Sequence, residues 1–154
     1  MAELEGLSGV LRKLNDAIKQ KELNLKAGLT EAVLVVKADS VRNTPIDLGN
    51  LRGSAFVIVT DNPPDNSSPT FTGPDSGDMS TGHSAALAEG QGLVSEGKKG
   101  AWSAIVAYSA NYAFWVHEMP ATYNFNSGVN KYLEKALLSN KNRIFQILTK
   151  WAKK

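Results

Sequence analysis

The side chains best suited to chemistry in this sequence are two histidines and several acidic residues. The 154-residue chain has His83, His117 and no cysteine, which excludes disulfides, thiolate metal sites and a cysteine nucleophile. His117-Glu118 matches the start of a zinc-protease signature, but that signature requires a second histidine four residues later. Ala121 stands there instead, and Pro120 would break the helix that must carry both ligands. The pair therefore does not predict a zinc hydrolase.

The remaining polar residues give no stronger indication of catalysis. Asp65, Asp75 and Asp78 could collect a cation, but they lack the spacing of a calcium loop and lie among serine and glycine. This setting is typical of solvated loop acids. No phosphate-binding loop, dinucleotide glycine pattern or nucleophile-elbow serine is present. We expect no enzyme activity, no cofactor and no metal.

Four aromatic residues, Tyr108, Tyr112, Phe114 and Trp115, lie close together in the sequence. Such a cluster can form a stacking surface for nucleic-acid bases. Interleaved arginine or lysine is missing here, which favours packing in the core or at a subunit interface.

Charge is distributed unevenly along the chain although the net charge is only +2. Residues 44–127 carry three basic and eight acidic side chains, whereas residues 128–154 carry seven basic side chains and one acidic. The basic end could contact phosphates or an acidic protein surface. Alternatively, it is a solvated helix face with lysines near the C-terminal carbonyls.

Residues 1–43 predict one long helix, because apolar residues recur at spacings of three and four. Pro45 ends it, and Gly28 is a position where the helix could bend or break. A continuous helix of this length would span roughly 60 Å at ~1.5 Å per residue. Since that exceeds a small domain, we expect part of it to pack on another chain or to turn at Gly28.

The rest of the chain predicts a single α+β domain. Residues 54–60 and 101–109 are rich in β-branched and aromatic residues and predict two strands of a small antiparallel sheet. Residues 128–154 predict a C-terminal helix that Ser139-Asn140 could interrupt. No apolar run approaches the roughly 18 residues of a membrane span, so no membrane partner is expected.

The segment between the two strands is the least regular part of the sequence. Residues 61–100 contain seven glycines, four prolines and six serines, with Phe71 as the only aromatic residue. Because such a segment buries little apolar surface, we expect a long, flexible inserted loop that orders against a partner. Residues 85–89 could form one helical turn within it.

Three segments, in this order, resemble a family of tailed-bacteriophage morphogenesis proteins. Residues 44–54 are similar to the family signature T-P-x-D-x-G-x-L-R-x-S. Residues 111–120 resemble its segment Y-A-x-x-V-H-E, and residues 128–137 resemble G-x-x-K-[FY]-L-E-x-[AP]-[LI]. The matching positions are Pro45, Asp47, Gly49, Leu51, Arg52, Tyr112, Ala113, Val116, His117, Glu118, Lys131, Tyr132, Leu133 and Glu134.

The resemblance implies a structural virion protein of the head–tail junction, described in that family as a minor capsid, tail-completion, terminator, connector or neck protein. Its implied partners are further copies of itself in a ring and the adjacent junction proteins on the portal and tail-tube sides, with passing contact with genome DNA left open. It would be located in the virion, and in the host cytoplasm during assembly. The alternative is a nucleic-acid-binding module that uses the basic C-terminal helix.

The motif residues themselves indicate positions in the fold rather than in a reaction. We expect Gly49 to adopt a positive φ, Leu51 to fill the core, and Arg52 to pair with an acid such as Glu118 or Asp47. An exposed edge of the sheet would be covered by the next subunit of the ring.

Overall fold

One helix of 42 residues, α1 (Ala2–Asn43), forms the N-terminal part of the protein. It is seen in a computed structural model that describes residues 2–96 and 101–154; Met1 lies outside them. The long helix is confirmed, and it continues through Gly28 without a break. A Cβ atom at Gly28 would lie 2.8 Å from the Cβ of Trp151, so glycine here allows a C-terminal helix to approach α1 closely.

A two-stranded antiparallel sheet follows, as expected. Strand β1 (Ala55–Val59) comes directly after the short helix α2 (Asn50–Gly53) and pairs with β2 (Ala104–Tyr108). In the register, Ala55 is opposite Tyr108 and Val59 is opposite Ala104. The α+β class is therefore confirmed.

Both faces of β1 are buried. Phe56 and Ile58 pack with Leu87 and Val94 on one face. Because side chains alternate along a strand, Ala55, Val57 and Val59 lie on the opposite face, where α1 contacts β1. The sheet is thus the middle layer of a three-layer arrangement.

The expectation of a loop without secondary structure over residues 61–100 is wrong for half of that segment. Helix α3 (Ser76–Ser95) runs for 20 residues and buries Met79, His83, Leu87, Gly90 and Val94. This spacing of three and four is the helical period. Residues 97–100, the end of the predicted loop, lie outside the described residues.

The glycines of α3 explain why the sequence pattern does not predict this helix. A Cβ atom at Gly90 would lie 2.6 Å from Ile58 Cδ1, so the absence of a side chain lets α3 lie close against β1. Composition suggested flexibility, but at this position glycine serves close packing.

Residues 65 and 66 cover the edge of β1 that does not pair with β2. The Asp65 amide donates to the Val57 carbonyl at 3.1 Å, and Asp65 Oδ1 accepts from the Val57 amide. Asn66 Nδ2 donates to the carbonyls of Gly53 and Ala55. The chain therefore covers this edge of the sheet itself, and coverage of the outer edge of β2 by a neighbouring subunit stays a prediction.

The C-terminal region forms helices α4 (Ala113–His117), α5 (Tyr132–Ser139) and α6 (Lys141–Ala152). The predicted interruption at Asn140 is confirmed. The side-chain Nδ2 of Asn140 donates to Asp39 Oδ2 at 2.6 Å, whereas Lys21 Nζ donates to the carbonyl of Ala152 at 3.1 Å. Helix α6 therefore runs antiparallel to α1, and its packing against α1 ends near Lys21.

Candidate functional site

The three family-like segments contact one another, and the first contact joins the end of α1 to the loop before α5. Gly128 has φ = 79°, and a Cβ atom there would lie 2.4 Å from the backbone nitrogen of Pro45. The adjacent Val129 amide donates to the Asn43 carbonyl at 2.8 Å. Only glycine fits this approach without moving the backbone.

The second contact joins α4 to the start of α5. The Lys131 amide donates to the His117 carbonyl at 2.8 Å, and the Tyr132 hydroxyl donates to the Ala113 carbonyl at 2.9 Å. The rings of His117 and Tyr132 meet edge to face at 4.9 Å. Burial raises the pKa of the Tyr132 phenol, so it stays neutral and remains a donor.

Glu118 forms the charged part of this contact. Its carboxylate accepts from Lys131 Nζ at 2.6 Å and contacts His117 Nδ1 at 2.7 Å. These two hydrogen bonds, that of Lys131 first, hold the pKa of Glu118 below its ordinary value. Glu134 lies 3.5 Å from the same ammonium group and is exposed. The arrangement is an ion-pair cluster that joins two segments.

Among the described residues, Arg52 pairs with backbone carbonyls and not with an acid, so that expectation is wrong. Its Nε donates to the Thr44 carbonyl at 2.9 Å and its Nη2 donates to the Arg42 carbonyl at 3.1 Å. The last carbonyls of a helix lack partners within the helix and carry partial negative charge. Arg52 therefore caps the C-terminal end of α1.

Gly49 and Leu51 behave as expected. Gly49 has φ = 85° and precedes α2, and Leu51 is buried in a cluster with Phe71, Met79 and Tyr132. Val116 and Leu133 are half-buried against the same cluster. Asp47 is exposed in the turn between α1 and α2. Most of the motif positions thus maintain the fold.

Beside these motifs lies a groove of about 610 Å³, which we call the acidic groove. Its apolar and aromatic lining includes Ile46, Leu48, Tyr112, Met119, Tyr123 and Phe125. Asp47 and Asp75 also line it, and among the residues that the structure describes no lysine or arginine does. Burial, and secondly the nearby Asp47 carboxylate, raise the pKa of Tyr112. The groove can accept apolar side chains flanked by positive charge.

Asn50 holds one wall of the acidic groove in place. Its amide nitrogen donates to the Thr72 carbonyl at 2.7 Å, and its oxygen accepts from the Thr72 amide at 2.9 Å. Sequence reasoning identified Asp47, Leu51 and Tyr112 but missed Asn50 and the groove itself. Its walls come from three distant segments, so no local pattern signals it.

A second surface lies at the other end of α1. Leu7, Val10, Leu11, Leu14 and Ile18 are each 48–62% exposed and fall on one helical face; we call this set the N-terminal stripe. The stripe lies N-terminal to Lys21, the residue near which the packing of α6 against α1 ends. Exposed apolar surface of this kind is typical of interaction sites in proteins.

The two histidines have structural surroundings. His83 is 1% exposed, and its ring bonds Ser109 Oγ at 2.6 Å and the Asn66 carbonyl at 2.7 Å.

Among the described residues, there is no group of three His, Asp or Glu side chains that could hold a metal ion. Within the same part of the chain, we find no helix long and apolar enough to cross a membrane.

The sequence cluster of aromatic residues divides between the interior and the surface. Tyr108 lies against the core and bonds Ser40 and Thr44 through its hydroxyl, whereas Phe114 and Trp115 are among the more exposed large side chains. These two residues of α4 therefore add exposed surface rather than core volume.

Some of the basic residues near the C-terminus are engaged within the chain. Lys150 Nζ lies 3.3 Å from the Glu31 carboxylate, and Lys154 lies over the Trp151 ring. Trp151 Nε1 donates to Glu31 at 2.6 Å, and this bond is the main cause that lowers the pKa of Glu31. These contacts secure α6 on α1.

Comparison with known proteins gives no match: no protein-family model fits the chain, and no curated protein or solved structure matches it significantly.

Proposed function

We propose that this protein is a structural virion protein of the tailed-phage head–tail interface, which forms a ring in the neck or at the head-proximal end of the tail. In this role it acts as a tail-completion, terminator or connector component. The observation that carries the proposal is the N-terminal stripe, since five large apolar side chains are exposed on a helix that extends past its own cover. Such a surface suits a protein that works in an assembly.

The contacts among the three family-like segments also support the proposal. Gly128 lies against Pro45, Lys131 bonds Glu118 and Tyr132 bonds Ala113, so residues that are far apart in sequence form one unit. Their roles are packing, capping and ion pairing. A family whose motifs maintain a scaffold is consistent with assembly rather than catalysis.

Ring formation requires two different surfaces on each subunit. A heterologous contact places one surface of a copy on another surface of the next copy, and the series closes when the rotation allows it. The N-terminal stripe and the acidic groove are two such surfaces. In the proposed assembly the outer faces of the ring contact the portal-side and tail-side junction proteins.

The decisive experiment is to place a stop codon early in the gene within the phage or prophage that carries it, and to image the particles. We expect filled heads and tails that fail to join, or tails of abnormal length. Supplying the intact gene on a plasmid is the control and should restore infectious particles. Mass spectrometry of purified virions should detect the chain in stoichiometric amounts.

Normal infectious particles from the mutant phage would overturn the proposal. Tight binding of short duplex DNA by the purified protein, weakening steeply as salt rises, would favour the nucleic-acid alternative instead.

A further inference from the structure

The N-terminal stripe and the acidic groove lie near opposite ends of α1. Leu14 stands in the middle of the stripe, and Pro45 of the groove directly follows the helix. Along a continuous helix at ~1.5 Å per residue, these two positions are about 46 Å apart. Because α1 continues through Gly28, the stripe of a chain cannot reach its own groove.

The two surfaces are complementary in charge. Residues 6–23 carry Arg12, Lys13, Lys19 and Lys21 against Asp16 and Glu22. Helical geometry places Lys13 on one side of the stripe and Glu22 and Lys19 on the other, whereas Arg12 and Asp16 lie on the far side of the helix. The groove is lined by the carboxylates of Asp47 and Asp75 and, within the described part of the chain, by no lysine or arginine.

The two surfaces are also complementary in polarity and form. The stripe presents a convex row of leucine, valine and isoleucine side chains on a helix. The groove offers a concave surface in which Leu48 and Tyr123 are more than half exposed. An amphipathic helix that lays its apolar face into an apolar groove is a recurring mode of recognition.

We propose that the N-terminal stripe of one copy docks in the acidic groove of the next copy. This contact is head-to-tail, so it can repeat around a closed ring in which every subunit uses the same two surfaces. Lys13 and Lys19 then lie toward Asp47 and Asp75 at the rim, while leucines fill the centre. The inference rests on the proposed ring-forming function and assigns its subunit interface.

The test uses two variants of the full chain that each damage one surface. Leu11→Gln with Leu14→Gln alters the stripe and retains good helix formers. Ile46→Gln with Leu48→Gln alters exposed positions of the groove. Leu93→Gln and Phe145→Gln, at exposed apolar positions on α3 and α6, are the matched controls.

Association is followed by sedimentation and native mass spectrometry, and folding by circular dichroism. Each double variant should need on the order of a hundredfold higher concentration to associate, because two buried leucine-sized contacts are lost. The two control variants should associate like the original protein.

Mixing the two double variants is the sharpest measurement. The variant with the altered groove keeps an intact stripe, and this stripe can dock in the intact groove of the variant with the altered stripe. After this pairing, the one groove and the one stripe that are still unoccupied are both damaged. A mixture should therefore form a species of twice the monomer mass that grows no further. Each variant alone should remain a monomer at the same concentration.

A groove variant that still dimerises by itself would overturn the inference, because pairing of two α1 helices would then explain association. Association of both double variants at the original concentration, or an original protein that is monomeric at every concentration, would overturn it too. These outcomes would not overturn the proposed virion role. That role is tested separately, by the particles made when the gene carries an early stop codon and by mass spectrometry of purified virions.

Discussion

Gly49 and Gly128 both have a positive φ, 85° and 79°, but their surroundings differ. Around Gly49 a Cβ atom would meet nothing within 4 Å, whereas at Gly128 it would meet Pro45 N at 2.4 Å. Gly49→Ala should therefore cost about 1–2 kcal/mol, the strain of the left-handed conformation. Gly128→Ala should cost more, because the backbone must also move. Urea denaturation measures both; equal losses would contradict the close approach.

Leu51 is 5% exposed and packs in the cluster beneath the first motif. Leu51→Ala should lower the free energy of unfolding by about 2–5 kcal/mol, through lost burial and a cavity. The exposed Leu48→Ala, three residues earlier, is the control and should change stability little. An unchanged melting temperature in the Leu51 variant would show that this side chain is not a core contact.

Glu118 links folding to pH through Lys131 and His117. Its folded pKa lies below the ordinary value of 4.5. Its stabilisation is therefore fully present above that value and is lost as the pH falls through the lower folded pKa. The Glu118→Gln variant should have a lower free energy of unfolding than the original protein at about pH 6. This difference in stability should shrink as the pH falls toward about 3.

Denaturation at a series of pH values measures this difference. Glu89→Gln, on the exposed side of α3, controls for the loss of one negative charge. A Glu118→Gln effect that stays constant from neutral to acid pH would contradict the ion-pair role.

At the scale of elements, the packing of α3 on β1 depends on Gly90. Gly90→Ala places a Cβ atom 2.6 Å from Ile58 Cδ1, whereas Gly92 on the same helix has open space around it. We expect Gly92→Ala to stabilise the protein by about 0.5–1 kcal/mol through helix propensity. Gly90→Ala should stabilise the protein less than this or destabilise it, because the new Cβ atom meets Ile58. Equal gains in melting experiments would mean that α3 does not lie close to the sheet.

At the scale of the whole molecule, α1 has two parts with different support. Residues 24–43 are covered by α5, α6 and the sheet, while the side chains of the N-terminal stripe are exposed. Isolated helical segments of this length are marginal in water. In dilute protein, amide hydrogen exchange should therefore be faster over residues 7–18 than over residues 29–40. Equal protection of both parts in the monomer would contradict this division.

Local patterns in the sequence were sufficient for much of the fold. The three-and-four spacing of apolar residues predicted α1, and runs of β-branched residues predicted β1 and β2. The glycine and leucine roles at Gly49 and Leu51 followed from turn and core chemistry. These features depend on neighbours within a few residues, which a sequence displays directly.

The tertiary structure alone decided the rest, because it depends on contacts between distant residues. Arg52 caps α1 rather than pairing with an acid, since the open carbonyls of Arg42 and Thr44 lie within its reach. The glycine-rich segment forms α3, and the glycine at position 90 lets this helix pack closely on Ile58. The acidic groove exists only where segments near residues 45, 75 and 123 meet. Composition records which residues are present, but contacts decide what a glycine or an arginine does.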